Sequence, residues 1–535
     1  MLQLSVDDAF PYASRRSPVM ARNIVATSQP LAAQAGLRML LAGGNAVDAA
    51  VAAAIALTVV EPESNGIGGD LFAIVWDGQR LHGLNASGRS PTALGPNRFR
   101  GMSAVPKHGW DAVTVPGAVS GWAELSRRFG TLPLHRLAEP AISYARDGFL
   151  LSPVIASEWA QAASSFDGLG GFEAFAASFL PGGRAPRVGE VFRLPGQATT
   201  LEEIAATGGE SFYRGELAQA IIADARRHGG LLTAQDLADH TADWVGTIST
   251  DYHGTELHEI PPNGQGLAAL IALGILRHHE LASTRVDSAD SLHLQIEAMK
   301  LAFADVHRYC ADPEYMTIDA GDMLDDSYLE QRASLIDMRT AANPEFGTLP
   351  RGDTVYLTTG DASGMMVSLI QSTYSAFGSG IVIPGTGISM QNRVAGFVLE
   401  EGHPNQVSGG KRPLHTIIPA FLMRDGQPQA SFGVMGGAMQ PQGHVQMVVR
   451  MIDYGQNPQT ASDAPRWRVD TGREVNVESG FASELLSDLR SRGHLITEGM
   501  PKDGSSFGGA QILWRTDAGY SAGSDHRKDG QATGY

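Results

Sequence analysis

The sequence predicts a layered α+β fold. Three observations point there. Helical patterning dominates from about residue 116 to 345, and strand-like runs dominate after about 350. A Pro/Gly/polar stretch, residues 343–352, separates the two regimes. Hydrophobic residues make up 43% of the 535, enough to fill a large interior without disulfide staples. Helices and strands segregated along one chain suggest layers stacked around a shared core.

The elements follow in order. Residues 29–60 are rich in Ala and Leu and read as two helices, broken at Gly43-Gly44-Asn45 by a cap and restart. The second, 46–60, is apolar nearly all round, which places it in the interior. A glycine turn at 64–69 leads to strands 71–76 and 80–84, joined by Asp77-Gly78. Helices are expected at 122–129, 217–227, 265–278 and 289–306, with no internal repeat. After the junction, strands are expected at 354–358 and 365–372, then at 381–383, 416–423, 430–434 and 511–515. A helix over 443–454 interrupts them.

Composition narrows the function. Lys and Arg number 40 against 57 Asp and Glu, a net charge of −17, which argues against a broad surface for nucleic acid or anionic lipid. Arg15-Arg16 matches an export signal only superficially, and the apolar stretch 46–60 is too short to span a bilayer. A cytoplasmic protein is expected. A single cysteine, Cys310, excludes an intrachain disulfide and any multi-cysteine zinc site. The histidines, including His278-His279, form no ligand motif, so neither a metal nor a cofactor is expected. Gly504-Ser-Ser506-Phe-Gly508 fits the serine-elbow spacing, but a strand-like run follows where a helix is required. A glycine turn is the better reading.

The strongest signal is Thr354, opening a strand after a polar loop, together with its company. Upstream stand Gly43-Gly-Asn-Ala-Val-Asp48, Asn65-Gly-Ile-Gly-Gly69, Pro116-Gly-Ala-Val-Ser-Gly-Trp122 and Gly229-Gly-Leu-Leu-Thr233 with Asp236. Downstream stand Phe377-Gly-Ser-Gly380, Gly385-Thr-Gly387, Gly410-Lys-Arg-Pro-Leu414, Gly433-Val-Met-Gly-Gly437 and Gly523-Ser-Asp-His-Arg527. From about residue 20 to the end, this ordered set resembles the γ-glutamyltranspeptidase family of N-terminal nucleophile hydrolases. The resemblance implies a four-layer αββα sandwich and self-cleavage between Asp353 and Thr354. The large chain would be 1–353 and the small chain 354–535, held together as one interdigitated catalytic domain. They would form a heterodimer, with a dimer of heterodimers left open. It implies that Thr354 becomes the nucleophile and its freed α-amine the base, a pairing that needs no histidine. Ser372 matches the hydroxyl that orients the nucleophile, and Gly436 and Gly437 match the paired amides of the oxyanion hole.

Departures from the family bear on the substrate. The family's arginine for the substrate α-carboxylate falls at Ser87, ahead of Pro91. Arg89 lies two residues on, on the same face if the strand continues, and is a substitute candidate. The three positions that hold a substrate ammonium are Tyr374, Arg393 and Gly396, so the acidic anchor is gone and a cation stands nearby. Two carboxylate-binding hydroxyls become His415 and Thr416, and the 397–411 loop is shorter than the family's lid. Arg393 would repel an ammonium and attract a carboxylate. The expected substrate is a small amide with a carboxylate and no ammonium. The chain is most similar to the oxamate amidohydrolase branch, which serves purine and allantoin nitrogen catabolism. A γ-glutamyl hydrolase or transpeptidase and a cephalosporin-acylase-like enzyme are the alternatives.

Overall fold

Two antiparallel sheets organise the chain, and the order of their strands sets where every functional residue sits. The computed structural model describes residues 16–166, 169–344, 352–499 and 507–535. One seven-stranded sheet runs, in spatial order, Gln531–Gly534, Ile24–Thr27, Asp353–Gly360, Met366–Tyr374, Asp70–Trp76, Leu81–Ala86 and Asp243–Trp244. The other runs Val19–Ala21, Gly519–Ser524, Ala510–Thr516, Gln427–Val434, Ala420–Arg424, Thr255–Glu259 and Ile248–Tyr252.

Strand alternation sorts the side chains into layers. Between the sheets, Phe72, Ile74, Tyr356, Met366 and Ile370 of the first meet Phe421, Leu513 and Tyr520 of the second. The opposite face of the first sheet presents Leu71, Ala73, Val355, Leu357, Val367 and Leu369 to helix Ala46–Val60 and its neighbours. The opposite face of the second presents Leu422, Ala430, Phe432 and Ile512 to helices Gly266–Leu276, Ala289–Tyr309 and Met439–Ile452. The result is four layers, αββα, as the resemblance implied.

Several elements follow from local chemistry. Helix Ala46–Val60 is buried along its whole length, so its polar needs are met at its ends. Asn45 caps it: its side chain accepts from the Asp48 amide at 3.0 Å, and Asp48 accepts from the Asn45 amide at 2.9 Å. Gly43, with φ +86°, ends the preceding helix. The Asp77-Gly78 turn joins Asp70–Trp76 to Leu81–Ala86, with Gly78 at φ +96°.

Other elements differ from expectation. The region from 116 to 345 is not wholly helical: Ile248–Tyr252 and Thr255–Glu259 form a hairpin that finishes the second sheet. Its turn, His253-Gly254, has positive φ at both residues, which twists the short strands into register. Residues 381–383 make only a bridge, Val382 to Ser389. The strand expected from 416 starts at Ala420, because 413–418 is irregular backbone that serves the site described below. The strand holding Asn85 stops at Ala86, so Ser87 and Arg89 do not share a strand face. Among the described residues no helix is long and apolar enough to cross a membrane.

Asp48 ties two helical segments together. Besides capping, its carboxylate accepts from the Thr131 hydroxyl at 2.6 Å and from the amides of Thr131 and Leu132 at 3.1 and 3.2 Å. Asp48→Ala leaves four partly exposed donors without their buried acceptor, and we expect it to cost about 1–3 kcal/mol of unfolding free energy in denaturant titrations. A loss below about 0.5 kcal/mol contradicts this account.

Candidate active site

Thr354 occupies the second position of strand Asp353–Gly360 and is 2% exposed. The pairing with Met366–Tyr374 slips there. Asp353 opposes Tyr374 and Val355 opposes Gln371, so Ser372 and Thr373 together face Thr354. This is a β-bulge, which re-aims side chains, and Tyr374 takes φ +83° to close it. The consequence is a short contact. The Ser372 hydroxyl donates to the carbonyl oxygen of Asp353 at 2.5 Å while accepting from the Tyr374 amide at 2.7 Å. That carbonyl belongs to the peptide bond joining Asp353 to Thr354. Burial pushes the Asp353 carboxyl up to about 6, with Glu158 raising it further and Lys528 opposing.

From the other sheet comes a turn at Gly436-Gly437, between strand Gln427–Val434 and helix Met439–Ile452. Their φ values, +109° and +57°, suit glycine. Among the described residues neither amide N–H has a hydrogen-bond acceptor. Their carbonyls accept from the amides of Met439 and Gln440, which starts the helix. Gln440 reaches back across the sandwich: its side-chain amide donates to the Thr354 hydroxyl at 3.2 Å and accepts from the Ile418 amide at 3.0 Å. Gln265 braces the turn by donating to the carbonyls of Gly437 at 2.9 Å and Thr416 at 2.6 Å. Sequence reading missed both glutamines. The one available signal for Gln440 was its place in the first helical turn after the glycine pair.

Arg393 is 1% exposed and opens a 3-10 turn, Arg393–Gly396. One guanidinium nitrogen donates to the Thr416 hydroxyl at 2.7 Å, and the group lies 4.7 Å from the Tyr374 ring centroid. Nε and Nη2 have no partner among the described residues. Burial lowers its pKa to about 10, with the charges of Asp70 and Tyr374 opposing, so it remains a cation at neutral pH. Gly396 brings no side chain, and a Cβ there would lie 2.9 Å from the Leu414 carbonyl. His415 is fully buried and its Nε2 meets Asp70 at 3.0 Å. Asp70 is saturated, since its other oxygen accepts from Gly88, Gly117 and Gln391. It therefore orients His415 and leaves the guanidinium edge of Arg393 free.

The remaining candidates separate from this group. Arg89 pairs with the buried Asp312 at 2.9 Å and with the Gly410 carbonyl, so its charge is already met. Ser87 is buried against Asn85 and Asn263. Cys310 is buried, with its thiol pushed up to about 12 by desolvation, which makes it a packing residue. His278 pairs with Asp326 on the surface. Of the serine-elbow candidate, Gly504 to Ser506 lie outside the described residues. The structure thus brings together Thr354, Ser372, Tyr374, Arg393, His415, Thr416, Gly436 and Gly437. A hydroxyl, unpaired amides and an unpaired buried cation are the parts an acyl-transfer site requires.

The same arrangement of chain is found in known proteins. The family model for gamma-glutamyltranspeptidase matches residues 32–535. The chain is 35% identical over 527 residues to the glutathione hydrolase-like YwrD proenzyme of Bacillus subtilis, covering 97% of this chain and 99% of that one. It is 36% identical over 534 residues to the oxamate amidohydrolase proenzyme of Klebsiella pneumoniae, with the same coverage. Among solved structures, cephalosporin acylase from Bacillus halodurans superposes with a TM-score of 0.95 at 48% identity, covering 100% of this chain and 99% of its own.

One electrostatic consequence of the site is measurable. Burial lowers His415 to about 4, with Arg393 adding to the effect and Asp70 opposing it. In the unfolded chain an imidazole titrates near about 6.5. Between these values the unfolded state holds a proton that the folded state lacks, so stability falls as pH drops from about 6.5 toward 4. His415→Asn removes that titration. We expect its loss of stability between pH 7.5 and pH 5 to be smaller by on the order of 1–2 kcal/mol. Parallel pH profiles for the two proteins contradict the assignment.

Proposed function

The chain belongs to the γ-glutamyltranspeptidase family, and we propose that it is a self-processing amidohydrolase with Thr354 as nucleophile. In the precursor, the Thr354 hydroxyl attacks the carbonyl carbon of Asp353. The Ser372 hydroxyl, already 2.5 Å from that carbonyl oxygen, stabilises the charge that develops there. The C–N bond breaks, the nitrogen takes up the proton, and the acyl group passes to oxygen as an ester. Water then hydrolyses the ester. The products are a large chain ending at Asp353 and a small chain beginning with Thr354.

The mature residue carries hydroxyl and α-amine together. An α-amine with a pKa of about 7.7–8 accepts the hydroxyl proton near neutral pH. The Gln440 contact leaves the hydroxyl hydrogen free for the amine, because Gln440 is the donor in that bond. The substrate carbonyl oxygen, as it becomes an oxyanion, fits the unpaired amides of Gly436 and Gly437. The amine or ammonia leaves with the proton, and water releases the acid from the Thr354 ester.

Arg393 carries the substrate reading. A buried guanidinium with Nε and Nη2 unpaired supports recognition of a carboxylate through two parallel hydrogen bonds. The same charge, with no acid at Tyr374, Arg393 or Gly396, disfavours a substrate ammonium. We therefore assign an amide bearing a carboxylate but no ammonium. Oxamate, hydrolysed to oxalate and ammonia in purine or allantoin nitrogen use, is the leading candidate, and the 36% identity to an oxamate amidohydrolase supports it. A second reading, removal of an acyl group from a larger amide, draws support from the 48% identity to a cephalosporin acylase. A γ-glutamyl substrate is the least compatible with Arg393.

On a denaturing gel the purified protein is expected to run as two bands near roughly 37 and 19 kDa, from 56.7 kDa divided between 353 and 182 residues. Thr354→Ala should give one inactive band at full length; a cleaved or active variant overturns the nucleophile. Ammonia release from oxamate, compared with release from a γ-glutamyl anilide and a cephalosporin amide, ranks the substrates. Arg393→Ala should still process yet lose about 30- to 1000-fold in kcat/KM on the carboxylate substrate. Unchanged turnover removes Arg393 from recognition.

A further inference from the structure

We propose that Glu61, Glu63 and Glu158 form a binding site for a calcium-sized divalent cation. The cluster is close enough to Asp353 for Glu158 to act on its carboxyl. Glu61 caps the C-terminal end of helix Ala46–Val60, Glu63 follows two residues later, and Glu158 projects from helix Pro153–Ser164. One carboxylate oxygen from each lies within 4.8 Å of the others.

The pattern of unmet oxygens marks this cluster out. Glu61 uses one oxygen to accept from the Ser28 hydroxyl at 2.6 Å, and Glu158 uses one to pair with Lys528. The remaining oxygens, Oε1 of Glu61, Oε2 of Glu158 and both oxygens of Glu63, are buried with no hydrogen-bond donor among the described residues. Glu63 is 1% exposed and has no side-chain partner at all. A buried polar atom without a partner costs about 1–3 kcal/mol, more when charged. Three carboxylates gathered this closely, with four unmet oxygens among them, call for a ligand that accepts electron pairs.

Charge and chemistry select its class. Lys528 offsets Glu158, which leaves Glu61 and Glu63 as the carboxylates to meet one divalent ion. The donors are all oxygen, which suits a hard cation rather than zinc or copper. Calcium takes about six to eight oxygens in flexible geometry, whereas magnesium demands a near-ideal octahedron and keeps most of its water. Glu63 can bind through both oxygens, and the Glu158 side chain, 29% exposed, reaches the surface beside the cluster. A second grouping, His293, Glu297 and His494, differs: Lys300 already sits in it, 2.8 Å from Glu297.

The test uses the purified full-length protein after treatment with EDTA and desalting. Adding CaCl2 should raise the thermal midpoint by about 3–5 °C at saturation. Elemental analysis after gel filtration should find one calcium per chain. Glu63→Gln should lose both the shift and the retained ion. It should also be no less stable than the wild type in EDTA, because the ion that Glu63 would hold is absent there. Glu158→Gln, altering a partly exposed side chain, serves as the second variant and should weaken calcium retention at least tenfold. No shift and no retained calcium in the wild type overturns the proposal. So does an undiminished response in Glu63→Gln. A response to MgCl2 equal to that with CaCl2 overturns the assignment to a calcium-sized ion.

Discussion

The pairing of Asp353–Gly360 with Met366–Tyr374 is the constraint from which the site follows. These strands lie at the middle of a seven-stranded sheet, flanked on both sides and covered on both faces. A register slip in such a place is costly, because it would turn every core side chain toward the wrong layer. The bulge at Ser372 and Thr373 absorbs one residue without that penalty. It ends the regular ladder at the position where a hydroxyl must approach a peptide carbonyl. Rigid sheet below and a bulge above give both precision and an irregular backbone where chemistry needs it.

Arg393 supplies the complementary constraint. A guanidinium taken out of water is expensive unless its hydrogens are met. Here Thr416 and the face of Tyr374 meet part of that need. The acid whose charge acts on it, Asp70, spends its oxygens on backbone amides, Gln391 and His415. The cation is thus held in place by groups that do not neutralise it. That arrangement leaves a positive charge with no ion-pair partner among the described residues.

Much of this was legible in the residues. The fully apolar helix 46–60, the Asp77-Gly78 hairpin and the strand beginning at the Asp353–Thr354 junction all follow from local pattern. The ordered glycine motifs carried the layered fold. What escaped reading depended on partners distant in the chain. The hairpin 248–259 is short and half-exposed, so its alternation was lost among helices. Arg89 looked available until Asp312, more than two hundred residues away, was seen to hold it. Gln440 has no signature of its own, since its role comes from pointing across two sheets at Thr354. Three glutamates from two helical segments likewise share nothing in sequence that would announce their convergence.

Strand Ile24–Thr27 lies between Asp353–Gly360 and Gln531–Gly534. Scission at Asp353 would therefore leave a ribbon of one polypeptide clamped on both edges by the other. The halves could not part without opening a sheet through its middle, so the severed molecule would persist by mechanical entanglement as much as by affinity. Once denatured, it would have to reassemble as two diffusing pieces at a rate set by dilution, whereas the intact precursor folds alone. Such a protein would be built once, and its lifetime would be governed by the barrier to coming apart.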